Sequence, residues 1–243
     1  LPNCRQLARL AELQVSIRTF EDIASQTAKK HTLSGYAYKI VAMTFSSFEE
    51  VLLLDADNIV MRSPQHLFES DSYRQTGSLL WKDFWLQSRA PEASMLSAKS
   101  LPGNNTHESG QMLVNKKRGW KTLLLAYYMN SFPGLFYPLS VNFMGLGDKE
   151  LFPLAAAYLG YEYGLVEKGP DHVGVMSDRM VVYGNTMMQH DVLGSPIFLH
   201  ANVGKWSSNV PVSFASYIRR WQVSALHGTE ITSMFRKVSG IDL

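Results

Sequence analysis

Apolar and polar positions along this chain alternate between two periods. Val51-Leu52-Leu53-Leu54 is an unbroken apolar run that stops at Asp55. A short segment that is apolar on both faces predicts a central strand buried between helices. Gly77–Trp81 and Gln111–Val114 predict two further strands, and Leu13–Thr19 alternates as another. Residues 5–12 read as the end of a helix, and helical spacing appears over residues 36–46 and, amphipathically, over Lys116–Asn130. Pro64 suits the first turn of a short helix, Gln65–Glu69. Asp148 predicts the cap of a helix through Leu159, which Pro153 would kink or delay. Apolar runs at Met180–Tyr183 and Ile197–Leu199 complete a strand-and-helix alternation that predicts an α/β sheet. The polar stretch Gln87–His107 predicts a loop of about twenty residues, a length that usually serves a function.

Composition narrows the classes. The chain has 243 residues, 46% hydrophobic and 18% charged, which suits a packed core rather than a disordered or fibrous chain. Lys and Arg total 23 against 21 acidic residues, so there is no basic surplus for nucleic-acid binding. A lone Cys4 excludes an internal disulfide framework and a thiolate-rich zinc site. Apolar runs such as Leu123–Met129 are too short to cross a bilayer. The sequence begins Leu-Pro-Asn-Cys, without a start Met or a signal pattern, and reads as a piece of something longer. One sequon, Asn104–Thr106, falls in the polar loop, where a glycan is tolerated.

The sharpest chemical feature is Leu54-Asp55-Ala56-Asp57-Asn58. On a strand, Asp55 and Asp57 point the same way, toward the crevice at the carboxyl end of an open sheet. Two carboxylates so close repel unless a positive charge lies between them. A hard divalent cation with oxygen ligands fills that role and in turn binds a diphosphate. The plainer alternative is a turn that ends a strand. His200, directly after the Ile197–Leu199 run, offers an imidazole ligand to the same crevice, and Lys205 a counter-charge for a leaving phosphate. Two polar clusters, His107–Gln111 and Gly145–Glu150, stand where loops meet regular structure. Trp81-Lys82-Asp83-Phe84-Trp85 combines aromatics with a carboxylate, as sugar binding or a plain core would.

These segments together resemble the fungal α-mannosyltransferases that extend mannan and N-glycan outer chains. The likeness covers about residues 36–206: Lys39 through Asp55-Ala-Asp57-Asn58, then Ser63-Pro64, Leu67-Phe68, Thr76-Gly77 and Trp81–Trp85. Glu108-Ser109-Gly110-Gln111, Gly147-Asp148-Lys149 and His200-Ala-Asn202 follow in the family's order. The resemblance implies a single retaining glycosyltransferase domain over residues 1–243. Its fold would be of GT-A type, a Rossmann-like mixed sheet flanked by helices, here without its N-terminal βα unit. It implies a type II membrane protein of the Golgi lumen, anchored by a segment outside this sequence, that uses GDP-mannose, Mn²⁺ and a mannose-containing acceptor glycan.

By the same resemblance Asp55, Asp57 and His200 hold the metal. Trp81, Asp83, Glu108, Ser109, Gln111, Gly147, Asp148, Lys149, Asn202 and Lys205 line the donor and acceptor pocket. Glu108, Gln111 and Asp148 are the candidates for direct catalysis, and no nucleophile stands out. Related metal sites in glycogenin-like enzymes take UDP-sugars, so the donor nucleotide rests on the resemblance. Two other readings stay open. One is a haloacid-dehalogenase-like phosphatase with Asp55 as nucleophile and Asp57 as acid/base. The other is a truncated transferase domain that binds glycans without catalysis.

Overall fold

The computed structural model describes Thr19 and residues 35–86, 103–141, 148–176, 182–201 and 221–222. The chain divides into two compact units, Leu1–Leu33 and Ser34–Leu243, and every element below belongs to the second. The helix and strand expected within residues 5–19 lie outside the described residues, Thr19 apart.

A single 3-10 turn, Gly35–Ala37, leads into helix α1, Tyr38–Phe45. Ile40, Val41 and Met43 are its buried positions, and Ser46 leaves the helix in an extended conformation. Strand β1 (Glu50–Leu54) pairs antiparallel with β4 (Asn105–Asn115), from Glu50 opposite Asn115 to Leu54 opposite Gln111. On its other side β4 pairs antiparallel with β3 (Ser78–Leu86), and β3 runs parallel to the short β5 (Gly164–Leu165). A second sheet is antiparallel throughout, in the order β2 (Asn58–Val60), β8 (Pro196–His200), β7 (Val182–His190), β6 (Asp171–Met176), β9 (Trp221–Gln222).

The architecture is mixed α/β, with two sheets where one continuous mixed sheet was expected. β1 also departs from expectation. Among the described residues it has one strand neighbour, and Leu52, Leu53 and Leu54 are only half-buried. Its apolar run reflects one face on the core rather than a sandwich of helices.

The central strand is β4, whose residues Thr106 to Val114 are all buried. Its first half, Thr-His-Glu-Ser-Gly-Gln, is polar, so hydrophobic patterning assigned part of it to a loop. In the sequon Asn104 is exposed, but Thr106 is buried and donates its hydroxyl to the Trp85 carbonyl.

Helix α2 (Asp71–Thr76) ends on Gly77, whose φ of +78° closes the last turn by donating to the Tyr73 carbonyl. Asn115 caps helix α3 (Lys116–Asn130) by accepting from the Arg118 N–H. Thr122, Leu123, Ala126, Met129 and Asn130 are its buried face. Helix α4 spans Pro133–Val141, and α5 spans Leu151–Tyr158. Asp148 does not cap α5: its carbonyl accepts from Leu151, and Glu150 occupies the cap position without a side-chain bond. Pro153 is the third residue of α5, where a missing N–H costs no intrahelical bond, so the helix runs through it.

The two sheets share a core. Leu79, Trp81 and Leu113 of the first meet Ile197 and Phe198 of the second, with Leu67, Tyr73 and Val166 around them. The Trp81 and Phe198 rings meet edge-on at 5.5 Å, and the Trp81 indole donates to the His190 carbonyl at 2.7 Å.

Candidate active site

The Asp-x-Asp segment is the bridge between the sheets. The Asp55 N–H still donates to the Gly110 carbonyl at 2.8 Å, the last rung beside β1. The Asn58 N–H then donates to the Asp55 carbonyl at 3.0 Å, which closes a four-residue turn. Asn58 starts β2 opposite His200, and the Ala201 N–H donates to the Asp57 carbonyl at 2.9 Å. The Asn58 side chain donates to the Gly110 carbonyl at 3.0 Å and to Gln111 Oε1 at 2.7 Å, which ties the turn to β4. Asp55 and Asp57 therefore converge because a turn folds them together, not because they alternate along a strand. The turn alternative and the paired-carboxylate reading describe the same residues.

His200 completes the cluster. Its Nε2 lies 3.2 Å from Asp57 Oδ1 and 3.9 Å from Asp55 Oδ2. One ligand atom from each of the three residues lies within 4.8 Å of the others. An ion bound at about 2.0–2.6 Å per ligand spans such separations. The other imidazole nitrogen, Nδ1, faces Glu108 Oε1 at 3.5 Å. The imidazole's hydrogen-bond partner is Asp57, through Nε2; a proton on Nδ1, facing Glu108, would free the Nε2 lone pair for a cation, the usual support of a metal-binding histidine. The donor set, two carboxylates and an imidazole, fits a divalent ion such as Mn²⁺.

Charges around this cluster are dense. Lys39 of α1 reaches Asp55 Oδ2 at 2.8 Å and donates to Ser109 Oγ at 3.0 Å. Lys149 pairs with Asp83 Oδ2 at 2.6 Å, and the second Asp83 oxygen accepts from the Phe84 N–H. Burial pushes the Asp83 carboxyl up and the Glu108 charge adds to this, with Lys149 opposing. Burial also works to raise Glu108, but His200, Lys149 and the Gly110 N–H outweigh it and its pKa is lowered. For His200 burial works downward, yet Glu108 and the two aspartates carry it above the ordinary value. Lys39 likewise rises despite its burial, through Asp148 and Asp55. Asp55, Asp57, Asp83, Glu108 and Asp148 thus set five carboxylates against the ammonium groups of Lys39 and Lys149. That negative excess attracts cations.

Asp148 is buried, and its pKa is pushed up to about 6, first by burial, with Lys39 opposing and Asp55 and Glu108 adding repulsion. A carboxyl whose folded pKa exceeds its unfolded value holds its proton more tightly when folded. Stability from this group is therefore full below about pH 4 and is lost as pH rises through about 6. Asp148→Asn is expected to stabilise the metal-free protein at pH 8 by up to about 3 kcal/mol. It should also flatten the fall in melting temperature between pH 4 and 6. An unchanged pH profile would contradict this account of Asp148.

Not every expected pocket residue reaches the cluster. Trp81 is wholly buried between the sheets with its N–H bonded, so it is a core residue rather than a sugar platform. Gln111 is also buried and holds Asn58, which places it behind the turn. Ser109 accepts from Lys39, and Glu108 orients His200 rather than facing open space. Gly147, Asn202 and Lys205 lie outside the described residues. Lys39, Asn58 and Gly110 were not foreseen. The first is the second residue of an apolar helix, and the others are small residues whose roles depend on partners distant in sequence.

Comparison with known proteins shows the family. The family described as "Mannosyltransferase putative" matches residues 3–103 and 88–191, and the chain belongs to it. Alpha-1,2-mannosyltransferase MNN21 of Candida albicans is 34% identical over 189 residues, 61% of this chain and 29% of that protein. Alpha-1,2-mannosyltransferase MNN2 of Saccharomyces cerevisiae is 29% identical over 205 residues, 68% of this chain and 34% of the relative. This chain thus spans about a third of the length of the curated relatives it matches. The family match lends nothing to the phosphatase reading.

Proposed function

We propose that this chain carries the metal and donor site of a retaining α-mannosyltransferase of GT-A type, which moves mannose from GDP-mannose to a mannose-containing glycan. The observation that carries the reading is the convergence of Asp55, Asp57 and His200 from two sheets, with Glu108 behind the imidazole. Asp55 and Asp57 at the turn and Nε2 of His200 would hold Mn²⁺. When bound, the ion supplies positive charge beside the diphosphate as the bond from the sugar C1 to the phosphate oxygen breaks.

The chain's own groups do the rest. Glu108, 3.5 Å from Nδ1, would draw the His200 proton to that nitrogen when Nε2 takes the ion, and its carboxylate accepts from the Gly110 N–H at 2.7 Å, which keeps it in place. Lys39 neutralises Asp55 and offers a fixed positive charge beside the site, the role first expected of Lys205. Lys149, half-buried and held by the buried Asp83 carboxylate, is suited to donate to sugar hydroxyls. Asp148, with a pKa of about 6, is suited to exchange a proton with an acceptor hydroxyl near neutral pH.

The relatives' names support mannose as the transferred sugar, and the Golgi lumen is the compartment this reading expects. Among the described residues no helix is long and apolar enough to cross a membrane. The test is a screen of GDP- and UDP-sugars with the intact protein, with and without Mn²⁺. Transfer from GDP-mannose that needs the metal supports the reading, and a phosphatase or a pure glycan binder would show none. Glu108→Gln removes the charge that orients His200, and a loss of about 10–100-fold in Mn²⁺ affinity is expected. Unaltered affinity in a metal titration would count against Glu108 as the orienting group.

A further inference from the structure

β1 stops opposite Gln111, so among the described residues the segment Asn105–Ser109 of β4 has a strand partner only on its β3 side. Where a neighbouring strand would accept its hydrogen bond, the His107 N–H donates to Glu150 Oε1 at 2.6 Å. The His107 imidazole then binds the second oxygen of the same carboxylate, Nδ1 to Oε2 at 2.8 Å. One residue therefore grips both oxygens of Glu150. The far side of the imidazole meets the Tyr163 hydroxyl, 2.9 Å from Nε2, with the rings edge-on at 5.4 Å. All three side chains are buried.

Burial and the Glu150 charge raise the Tyr163 phenol well above its usual range, so it keeps its proton. Tyr163 O–H to Nε2 and Nδ1–H to Glu150 then satisfies every group. None of the three residues touches the metal cluster, and nothing in the mechanism above uses them.

Their neighbours in sequence are the site. Glu150 lies in the turn that follows Asp148 and Lys149 and that the Leu151 N–H closes on the Asp148 carbonyl; the Lys149 ammonium binds Asp83. His107 immediately precedes Glu108, which orients His200. We infer that Glu150, His107 and Tyr163 are positioning residues that lock the Asp148–Lys149 turn to the open edge of β4, so that both halves of the site keep one spacing. This rests on the transferase reading for its consequence but not for its geometry. A displacement of about 1 Å at such a turn costs on the order of a hundredfold in rate without changing which residues are present.

The variants are Glu150→Gln, which weakens the double grip, and Tyr163→Phe, which keeps the ring and removes one hydroxyl. The readout that does not depend on activity is acylation of individual lysines by acetic anhydride, followed by mass spectrometry on the intact protein. In Glu150→Gln the Lys149 rate is expected to rise by about fivefold or more, while Lys39 on α1 stays unchanged. Part of the rise comes from loss of the Glu150 charge that helps keep Lys149 protonated, and part from local opening of the turn. Tyr163→Phe, which changes no charge, isolates the opening. Tyr163→Phe should shift the same ratio in the same direction by less. In transfer assays kcat should fall by about 10–100-fold with the KM for donor within about twofold. Equal reactivity of Lys149 in wild type and both variants would overturn the proposal. So would a loss of kcat that only tracks the folded fraction. If the unsubstituted protein transfers no mannose from any donor, the transferase reading fails, and the lysine ratio still decides the clamp. If Glu150→Gln does not fold, Tyr163→Phe alone decides it.

Discussion

Asp57→Asn is expected to reduce mannosyl transfer by at least about a thousandfold while leaving the fold in place. A metal's stabilisation of the departing diphosphate amounts to several kcal/mol, and each 1.36 kcal/mol is tenfold in rate. Asn keeps the shape of the turn and the backbone bond from Ala201 to the residue-57 carbonyl. It removes one of the two charges that would hold the proposed ion together with His200 Nε2, so Mn²⁺ affinity should fall with activity. The metal-free protein should melt close to wild type, because repulsion between the carboxylates at this turn and attraction of Asp57 to His200 oppose each other. Wild type should gain stability on addition of Mn²⁺, about 2.7 kcal/mol at a hundred times its Kd, and Asp57→Asn should gain far less at the same concentration. Full transfer by the variant, or an equal metal-dependent shift in its melting temperature, would remove Asp57 from the metal site.

The parts of this architecture that were legible in the sequence are those where burial is apolar. The Lys116–Asn130 helix and the Ile197–Leu199 strand core were foreseen because Leu123, Ala126 and Met129 repeat at helical spacing and Ile-Phe-Leu is continuous. Around the site the same rules fail. Thr106 to Gln111 is a fully buried strand made almost entirely of polar residues, stabilised by Lys39, Glu150, His200 and Asn58 rather than by apolar contacts. Hydrophobic patterning has no view of such a segment.

The pairing of Asp55 and Asp57 was anticipated, but for a reason that did not hold. A strand of Val-Leu-Leu-Leu that continued through Asp57 would have aimed both carboxylates one way. Instead the Asp55–Asn58 turn transfers the chain to another sheet and brings His200 into register with Asn58. The turn thus explains at once why the carboxylates meet and why a histidine some 140 residues away joins them. Lys39 was invisible for a related reason. Nothing in Tyr38-Lys39-Ile40-Val41 distinguishes a site ammonium from a solvated helix residue until α1 is seen against Ser109 and Asp55.

Gly110→Ala carries the second large expectation, and it separates the site's geometry from its chemistry. A Cβ at Gly110 would stand 2.4 Å from His200 Cε1, 2.6 Å from His200 Nδ1 and 2.9 Å from Glu108 Oε1. The first two lie in the imidazole ring itself, so the methyl cannot be absorbed by a flexible chain end. Either the ring swings away from Asp55 and Asp57, or β4 shifts from the turn that its Gly110 carbonyl binds through Asp55 and Asn58. Overpacking of this kind costs about 1–3 kcal/mol of stability. Activity and Mn²⁺ affinity should fall further, by about a hundredfold or more, because the displaced ring loses the Glu108 partner that directs Nε2 at the ion. No charged or hydrogen-bonding side chain is removed in this variant. Wild-type metal affinity in Gly110→Ala would therefore mean that His200 is not a ligand, whatever the aspartates do. A selective loss, with most of the stability retained, would tie the imidazole's position to the function through steric fit alone.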